Sequence, residues 1–458
     1  IFLMIKTKKQ FICQSCGNIY SRWIGKCEQC NQWNTIVEEN NYRPSGVLSK
    51  STGKIIKFEK LNDVNYEYSR IKTNLNELDR VIGGGFVPGS VTLIGGDPGI
   101  GKSTLLLQLV GKLSEQKEKC IYVSGEESLS QIKMRADRLG VNNDDIEFAS
   151  ITNSSDIAIT INSKKKRCIL VIDSIQTMYL PQLDSSPGTV SQVRASAHEL
   201  ILTAKKTNTV LILIGHLTKD GAIAGPKVLE HMVDTVLYFE GDNNFQYRIL
   251  RSFKNRFGAN NEIGVFEMLS NGLKEIANPS AMFMSDRQKN ISGTSIFAGL
   301  EGTRPILVEI QALVTHSTLA TPRRVIVGWD VSRLAMLCAV LEARCKIHLS
   351  NMDIFLNIVG GMKLFEPAAD LAVAAAIISS VKNIPLSFSS VFFGEVGLSG
   401  EIRKVNQPEL RIKEASKLGF NKINLPTKQR VIINKDMRYN SLTVLSDLVE
   451  LINKDNKD

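Results

Sequence analysis

The sequence lacks any apolar run long enough to cross a membrane. Its longest strongly apolar stretch, Leu371 to Val381, is far shorter than the ~20 residues that a membrane-spanning helix needs, and it lies between Asp370 and Lys382. The N-terminal run Ile1 to Ile5 is too short for the core of a signal peptide. We therefore expect a cytoplasmic protein in which Leu371 to Val381 forms a buried helix.

Repeats of fixed period and low-complexity tracts are also absent, which argues against a solenoid and against a disordered chain. The 458 residues, 43% hydrophobic and 22% charged, are enough for two or three globular domains. The net charge of +10 suits a polyanionic partner such as nucleic acid. It is equally compatible with a basic surface that has no such partner.

Cysteine is confined to one cluster and four scattered positions. The scattered thiols lie in apolar surroundings and are expected to be unreactive: Cys120, Cys168, Cys338 and Cys345. The cluster has the spacing C-x2-C-x10-C-x2-C, which is typical of a tetrahedral Zn²⁺ site: Cys13, Cys16, Cys27 and Cys30. Two disulfides are the alternative, which a reducing cytosol disfavours. Four protein ligands would leave no position for a reactive water, so the predicted site is architectural or serves in docking.

The pattern beyond the cysteine cluster predicts two α/β domains. Residues 38–70 are polar and aperiodic and are predicted to be a linker between a zinc module at 11–37 and a larger domain at 71–274. Short apolar runs predict the strands of a mainly parallel sheet with helices on both faces: Val91 to Ile94, Cys120 to Val123, Cys168 to Ile172, Thr209 to Ile214 and Thr235 to Phe239. Val190 to Lys206 has helical periodicity. The pattern changes after about residue 274, which indicates a second α/β domain at 275–458.

A phosphate-binding loop follows the first of these predicted strands and precedes a predicted helix. Its residues are predicted to bind ATP: Gly96, Asp97, Pro98, Gly99, Ile100, Gly101, Lys102, Ser103 and Thr104. The glycines let backbone N–H groups surround the phosphates, Lys102 neutralises the β and γ oxygens, and the Ser103 hydroxyl binds Mg²⁺. A chance glycine-rich turn is the alternative. The context favours an ATP-hydrolysing motor of the RecA-like class.

Three further side chains at predicted strand ends suit ATP hydrolysis. Asp173 ends an apolar strand and is expected to hold Mg²⁺ through water. Glu126 is our choice to orient the attacking water, because Glu127 could equally be an acidic residue at a helix N-terminus. His216 follows the fourth strand as a candidate γ-phosphate sensor, with a buried structural histidine as the alternative.

Several segments together resemble the bacterial RadA (Sms) family of DNA repair proteins, and the resemblance covers nearly the whole chain. It rests on the cysteine cluster, the phosphate loop, LDRVIGGGFVPGS at 78–90, YVSGEES at 122–128, GPKVLEHMVDTVLYFEGD at 225–242 and above all KNRFG at 254–258. The resemblance implies a homo-hexameric ring that translocates on single-stranded DNA. It also implies that the ring drives branch migration of recombination intermediates with the RecA recombinase.

Basic residues near KNRFG and in two loops are candidates for further contacts. Lys254 and Arg256 are expected to reach a neighbouring subunit's nucleotide, with a solvated basic strand end as the alternative. The loops at 185–192 and 219–227 are expected to face DNA, with Lys219 and Lys227 as phosphate contacts.

The region from about residue 275 resembles the proteolytic domain of Lon, but without its reactive groups. A Gly-Pro-Ser-Ala stretch in Lon corresponds here to Glu366-Pro367-Ala368-Ala369, and the region of the partner lysine reads Asn406-Gln407-Pro408-Glu409. Without a hydroxyl and an amine there is no Ser-Lys dyad, so a scaffold without protease activity is expected. Candidate DNA contacts in this domain include Arg304, Arg323, Arg324 and Lys346.

Two other functional classes remain open at this point. An ATP-dependent protease is suggested by the Lon-like region but disfavoured by the two alanines. An ATP-switched interaction protein would share the nucleotide site yet move no DNA. The zinc module and the basic charge favour the DNA motor.

Overall fold

The computed structural model describes residues 9–13, 18–29, 31–33, 35–40, 69–141, 145–164, 166–216, 227–241, 247–284, 288–431 and 436–455. The chain divides into two compact units, with the boundary between Glu275 and Ile276; Gly241 and Tyr247 are grouped with the second unit. None of the helices in these ranges combines the length and the apolar content that crossing a membrane requires.

The N-terminal cysteine module contains a small antiparallel sheet. Its strands are β1 (Lys9–Cys13), β2 (Ile19–Tyr20) and β3 (Ile36–Asn40), in the order β2-β1-β3. Strand β3 extends into the segment that we predicted as linker, because Glu38 and Glu39 pair through their backbones with Phe11 and Gln10. Two consecutive glutamates do not indicate a strand in the sequence, because β3 pairs through its backbone groups and not through its side chains.

The rest of the first unit alternates strands and helices. The elements are α1 (Asn76–Ile82), β4 (Val91–Gly96), α2 (Lys102–Glu115), β5 (Cys120–Ser124), α3 (Leu129–Arg138), β6 (Ile146–Ser150), α4 (Ser154–Ser163), β7 (Ile169–Asp173), α5 (Val190–Thr207), β8 (Val210–His216), α6 (Lys227–Met232), β9 (Thr235–Glu240), β10 (Tyr247–Asn255), β11 (Ile263–Leu269) and β12 (Gly272–Glu275). All five predicted strands are present.

These strands form one nine-stranded sheet in the order β12-β11-β10-β9-β4-β8-β7-β5-β6. The six strands from β9 to β6 in this order are parallel, and β10 and β12 pair antiparallel to their neighbours. The mainly parallel sheet is therefore confirmed. Strand β4 ends at Gly96 rather than at Ile94, because backbone pairing continues through glycines that carry no apolar signal.

Helices cover both faces of this sheet. Alternate residues of one strand belong to different cores: Ile94 packs with α2 residues such as Leu106, whereas Leu93 packs with α5 residues such as Val193. Because strand side chains alternate in direction, the two cores lie on opposite faces. The predicted helix-covered α/β architecture follows from this alternation.

The second unit contains a seven-stranded sheet and five helices within the described ranges. The elements are α7 (Pro279–Phe283), β13 (Thr294–Glu301), β14 (Arg304–His316), β15 (Arg324–Val327), α8 (Val331–Cys345), β16 (Met352–Ile358), α9 (Asp370–Lys382), β17 (Ser390–Phe392), β18 (Glu395–Val396), β19 (Ile402–Arg403), α10 (Pro408–Lys417), β20 (Lys422–Pro426), β21 (Arg438–Leu442) and α11 (Leu445–Asp455). The sheet order is β15-β16-β14-β13-β17-β20-β21, with β18 and β19 paired separately.

Helix α9 is the buried helix that the apolar stretch predicted. Its residues from Asp370 to Ser379 are all buried. It contacts β13 and β14 and therefore lies at the centre of this unit's core.

The scattered cysteines are consistent with unreactive thiols. Cys120, Cys168 and Cys338 are buried, and Cys345 is half-buried. Burial raises the pKa of Cys120 to about 12 and that of Cys338 to about 11, which keeps both thiols protonated at neutral pH.

Candidate nucleotide site

The carboxyl ends of four parallel strands meet at one edge of the first sheet. Gly96 at the end of β4 is level with His216 at the end of β8, and Ser124 at the end of β5 is level with Asp173 at the end of β7. In open α/β sheets this edge is where ligands bind. The predicted nucleotide-site residues at these strand ends thus lie at the same edge of the sheet.

The phosphate loop turns from β4 into α2 through positions that only glycine fits. Gly101 has φ +116°, and a Cβ there would lie 2.6 Å from the Met268 side chain. A Cβ on Gly96 would lie 2.6 Å from the Phe239 carbonyl oxygen. The loop leads into the N-terminus of α2, where free backbone N–H groups attract anions.

Lys102 is the first residue of α2 and is only 4% exposed. Its Nζ donates hydrogen bonds to the carbonyl oxygens of Gly96 at 2.7 Å and Asp97 at 2.8 Å. Burial lowers the pKa of Lys102, while the nearby carboxylates of Asp173, Asp97 and Glu126 act to raise it. Lys102, Asp173 and Glu126 are therefore close enough to form one electrostatic cluster.

Asp173 is 5% exposed at the end of β7 and is held by a tyrosine that the sequence analysis missed. The hydroxyl of Tyr122 donates to Asp173 Oδ2 at 2.5 Å. Burial first, and then Asp173, raise the pKa of Tyr122 well above its usual value, so the phenol stays protonated. A polar ring two residues before Ser124 was the available signal, because period-two alternation puts both side chains on one face.

The structure separates the two glutamates that follow β5. Glu126 is exposed, and its Oε1 accepts a hydrogen bond from the Ser174 hydroxyl at 2.5 Å. Glu127 forms an ion pair with Arg135 on α3. Glu126 thus remains beside Asp173 and Lys102, whereas Glu127 is directed to α3. Neither Ser174 nor Arg135 was identified from the sequence.

The oxygen-rich set at this edge suits a magnesium nucleotide. Mg²⁺ prefers oxygen ligands, and this edge supplies the buried carboxylate of Asp173 and the hydroxyl of Ser103 at the start of α2. The loop amides and Lys102 suit phosphate oxygens. The residues present therefore fit Mg²⁺ bound together with ATP.

Three predicted residues are described only in part or not at all. The backbone of His216 is level with Gly96, but its side chain lies outside the described residues. Lys227 begins α6, and its side chain also lies outside them. Lys219 lies outside the described residues altogether.

Lys254 and Arg256 are not brought to the phosphate loop of their own chain. Lys254 is opposite Val236 on β9, and Val236 is level with Leu93, three residues before Gly96. Its Nζ donates to the carbonyl oxygens of Glu230 and Val233, both at 2.7 Å. Burial, and then the charge of Arg256, lower the pKa of Lys254.

Arg256 lies near the opposite end of β4 from the phosphate loop. Its Nη1 is 3.1 Å from Asp234 Oδ1, and Asp234 Oδ2 accepts a hydrogen bond from the first N–H of β4, that of Val91. The Arg256 side chain is 55% exposed. This arginine is therefore accessible to another molecule while it is tethered at the base of β4.

Two of the four clustered cysteines lie within the described residues, and their surroundings suit a zinc knuckle. Cys13 and Cys27 are fully buried, and each N–H donates to the carbonyl five residues later, at Asn18 and Gln32 respectively. Equivalent turns at both cysteines are what a paired knuckle requires. Cys16 and Cys30 lie outside the described residues.

In the second unit, the Lon-like position carries an ion pair. Ala368 and Ala369 are buried just before α9. Glu366 accepts hydrogen bonds from Arg411, whose side chain is fully buried and also donates to the carbonyl oxygen of Ala298 at 2.9 Å. The guanidinium of Arg411 thus lies two residues beyond Glu409, next to the region in which a partner lysine was expected.

Three of the proposed basic DNA contacts in this unit are used within the fold. Arg304 is 5% exposed and donates to the Ala277 carbonyl oxygen at 3.0 Å. Arg323 pairs with Asp353 at 2.7 Å, and Arg324 donates to the Leu349 carbonyl oxygen at 2.9 Å. Arg304 is therefore withdrawn from solvent, whereas Arg323 remains exposed and stays a candidate, because one internal partner does not exclude a further contact.

Comparison with known families and proteins gives matches along the chain. Family models match residues 71–168 (ATPase: KaiC), residues 11–38 (rubredoxin metal binding domain) and residues 336–429 (subunit ChlI of Mg-chelatase). A solved structure of a DnaB-like replicative helicase and its interactions with primase superposes with a TM-score of 0.40 and 14% identity, over 47% of this chain and 64% of that chain.

Relatives match over much greater lengths. DNA repair protein RadA of Rickettsia bellii is 54% identical over 92% of this chain and 94% of its own. The RadA proteins of Brucella abortus and Bacillus subtilis are 50% identical over 98% of both chains and 49% identical over 92% of this chain and 93% of the relative. With half of all residues identical over nearly the entire length, the chain belongs to the RadA family of DNA repair proteins.

Proposed function

We propose that the chain is a DNA-dependent ATPase and helicase that translocates on single-stranded DNA. In this proposal it drives branch migration of recombination intermediates together with the RecA recombinase, in the cytoplasm. The observation that carries the proposal is the cluster of Lys102, Asp173 and Glu126 at the ligand-binding edge of a RecA-like sheet. Membership of the RadA family supports the repair context.

Hydrolysis is assigned to residues of this edge. Lys102 and the loop amides hold the β- and γ-phosphates, and Ser103 and Asp173 would hold Mg²⁺, which when bound neutralises phosphate charge. Glu126 orients a water toward the γ-phosphorus and accepts its proton as the bond to the ADP oxygen breaks. His216, whose backbone at the end of β8 is level with Gly96, would sense the γ-phosphate.

The ring arrangement supplies the remaining charge. Lys254 and Arg256 lie away from their own phosphate loop, so in a homo-hexamer they would act on the nucleotide of a neighbour. Arg256, half-exposed, is the better donor, because the ammonium of Lys254 already bonds two carbonyl groups near the end of α6.

DNA is assigned to the loops that follow β7 and β8. In the first loop, the buried amide of Gln192 bonds the backbone at Leu180, Leu183 and Ser185, which fixes the loop's shape. Lys219 and Lys227 would supply phosphate contacts from the second loop.

The first test measures ATP hydrolysis with and without single-stranded DNA. We expect DNA to accelerate the native chain, and the double variant Lys219→Ala/Lys227→Ala to lose most of that stimulation and to bind DNA with a weaker salt dependence. Lys102→Ala gives the background rate. Hydrolysis that is indifferent to DNA would contradict the proposal and favour an ATP-switched interaction protein.

The other regions are assigned supporting roles. We propose a zinc module that includes all of β1 and β3 and so extends from Lys9 to Asn40, beyond the predicted bounds of 11–37. A linker up to residue 70, an ATPase domain at 71–274 and a domain without protease activity at 275–458 complete the proposed organisation. The ion pair of the buried Arg411 with the half-buried Glu366, beside two buried alanines, supports the last assignment. Cleavage of casein by the purified chain would contradict it.

Removing one cysteine should release the zinc. We expect one Zn²⁺ per native chain and close to none in Cys27→Ser, because a structural zinc site depends on all four thiolates. Cys168→Ser, which changes a buried thiol outside the cluster, is the matched control and should keep its metal. Elemental analysis of the purified proteins measures both. Full zinc content in Cys27→Ser would rule out the four-cysteine site.

A further inference from the structure

Tyr122 is a polar side chain in the apolar interior of the first unit. It lies in β5, is 1% exposed and belongs to the same core as the α2 residues. Its ring centroid is 6.0 Å from that of Phe148 on β6. The ring is thus buried in the core, and only the hydroxyl group is able to form a hydrogen bond.

The register of the sheet brings that hydroxyl to the nucleotide edge. Ser124 is level with Asp173, so Tyr122 lies two residues earlier on the same face of the neighbouring strand. A tyrosine side chain is long enough to span that distance, and its hydroxyl donates to Asp173 Oδ2 at 2.5 Å. A phenylalanine would pack equally well but would leave this buried carboxylate oxygen without its donor.

We propose that Tyr122 is a positioning residue that orients Asp173 for the magnesium ion of the bound nucleotide. The inference rests on the proposed function, because it takes the assignment of Asp173 from there. Outer-shell partners of this kind change metal affinity by about 10–100-fold when they are removed. Tyr122 touches neither the phosphates nor the water in this role.

The test measures the binding of a fluorescently labelled ADP, with and without magnesium, through the change in its fluorescence. We expect Tyr122→Phe to raise the half-saturating Mg²⁺ concentration by about tenfold or more. Affinity for the labelled ADP in EDTA should match that of the native chain, since the loop and Lys102 are unchanged. The retained ring should keep the variant folded, with a melting temperature lowered only by the loss of one buried hydrogen bond.

Tyr238→Phe is the matched control. The Tyr238 hydroxyl also donates to a carboxylate, Glu230 Oε1 at 2.8 Å, but its ring packs in the core on the other face of the sheet. This variant loses an equivalent hydrogen bond and should keep the native magnesium dependence. A native magnesium dependence in Tyr122→Phe, or equal weakening with and without magnesium, would overturn the inference.

Asp173→Asn separates failure of the inference from failure of the proposed metal site. If Tyr122 acts through the metal ligands, Tyr122→Phe should add little to the defect of Asp173→Asn, as measured by a double-mutant cycle. Fully additive defects would contradict such coupling. A normal magnesium effect in Asp173→Asn would show that the metal site itself was wrongly assigned, and the Tyr122 inference would fail with it.

Discussion

Glu126→Gln is expected to slow ATP hydrolysis by about 10²–10⁴-fold, the range that one positioned proton acceptor contributes. Nucleotide binding should be retained, because the phosphates are held by the loop and Lys102 rather than by this carboxylate. Single-turnover hydrolysis and binding of labelled ATP measure the two effects separately.

The neighbouring glutamate provides the control for this prediction. Glu127 and Arg135 form a partly exposed ion pair. Glu127→Gln should therefore change the rate of ATP hydrolysis by less than about tenfold. Both variants replace a glutamate by glutamine, and the two positions are adjacent in the chain. If Glu127→Gln lost activity while Glu126→Gln kept it, our assignment of the two roles would be reversed.

Arg256→Ala is expected to lower the hydrolysis rate of the assembled protein by about 10³–10⁵-fold, the range of an arginine that stabilises phosphoryl transfer. The defect should appear in the rate and not in ATP binding by the subunit, since Arg256 is remote from its own phosphate loop. Steady-state hydrolysis at saturating ATP measures the rate. Thermal unfolding shows whether loss of the Asp234 pair has damaged the fold.

Mixing two inactive variants tests whether Arg256 acts on a neighbouring subunit. Arg256→Ala subunits keep an intact phosphate loop, and Lys102→Ala subunits keep an intact arginine. In a random equal mixture, about a quarter of the interfaces of a cyclic ring join the two intact halves, and activity should return to that extent. No recovery in assembled mixed rings would place Arg256 outside the neighbour's site.

The parts of the site that were predictable are those encoded in contiguous residues. The phosphate loop requires glycines, Lys102 and Ser103 within a few positions, between a strand and a helix, so its spacing alone identified it. Asp173 was found because it ends an apolar strand. Both signals are local and do not depend on which strands are neighbours.

The residues that were missed depend on strand neighbours and register. Tyr122 is useful only because β5 pairs with β7 at a register that makes Ser124 level with Asp173. Arg135 distinguishes Glu127 from Glu126 only once α3 is folded. The same limitation explains why strand β3 of the cysteine module was not predicted, because its consecutive glutamates pair through the backbone.

The basic residues show what the sign of a charge leaves out. Positive charge suggested a DNA contact at Arg304, but this arginine is 5% exposed and donates to the Ala277 carbonyl oxygen inside the fold. Arg323 pairs with Asp353 and yet remains exposed. A sequence gives the sign of a charge and not the position of its counter-ion.

The pair of Arg411 with Glu366 limits the ways in which a Ser-Lys dyad could arise at this place. Changing Ala368 to serine would supply a hydroxyl, yet the guanidinium cannot lose a proton and so cannot act as its base. Replacing Arg411 by lysine would supply an amine but weaken the contacts with Glu366 and with the Ala298 carbonyl oxygen. Neither substitution alone gives a dyad, and the second one costs stability.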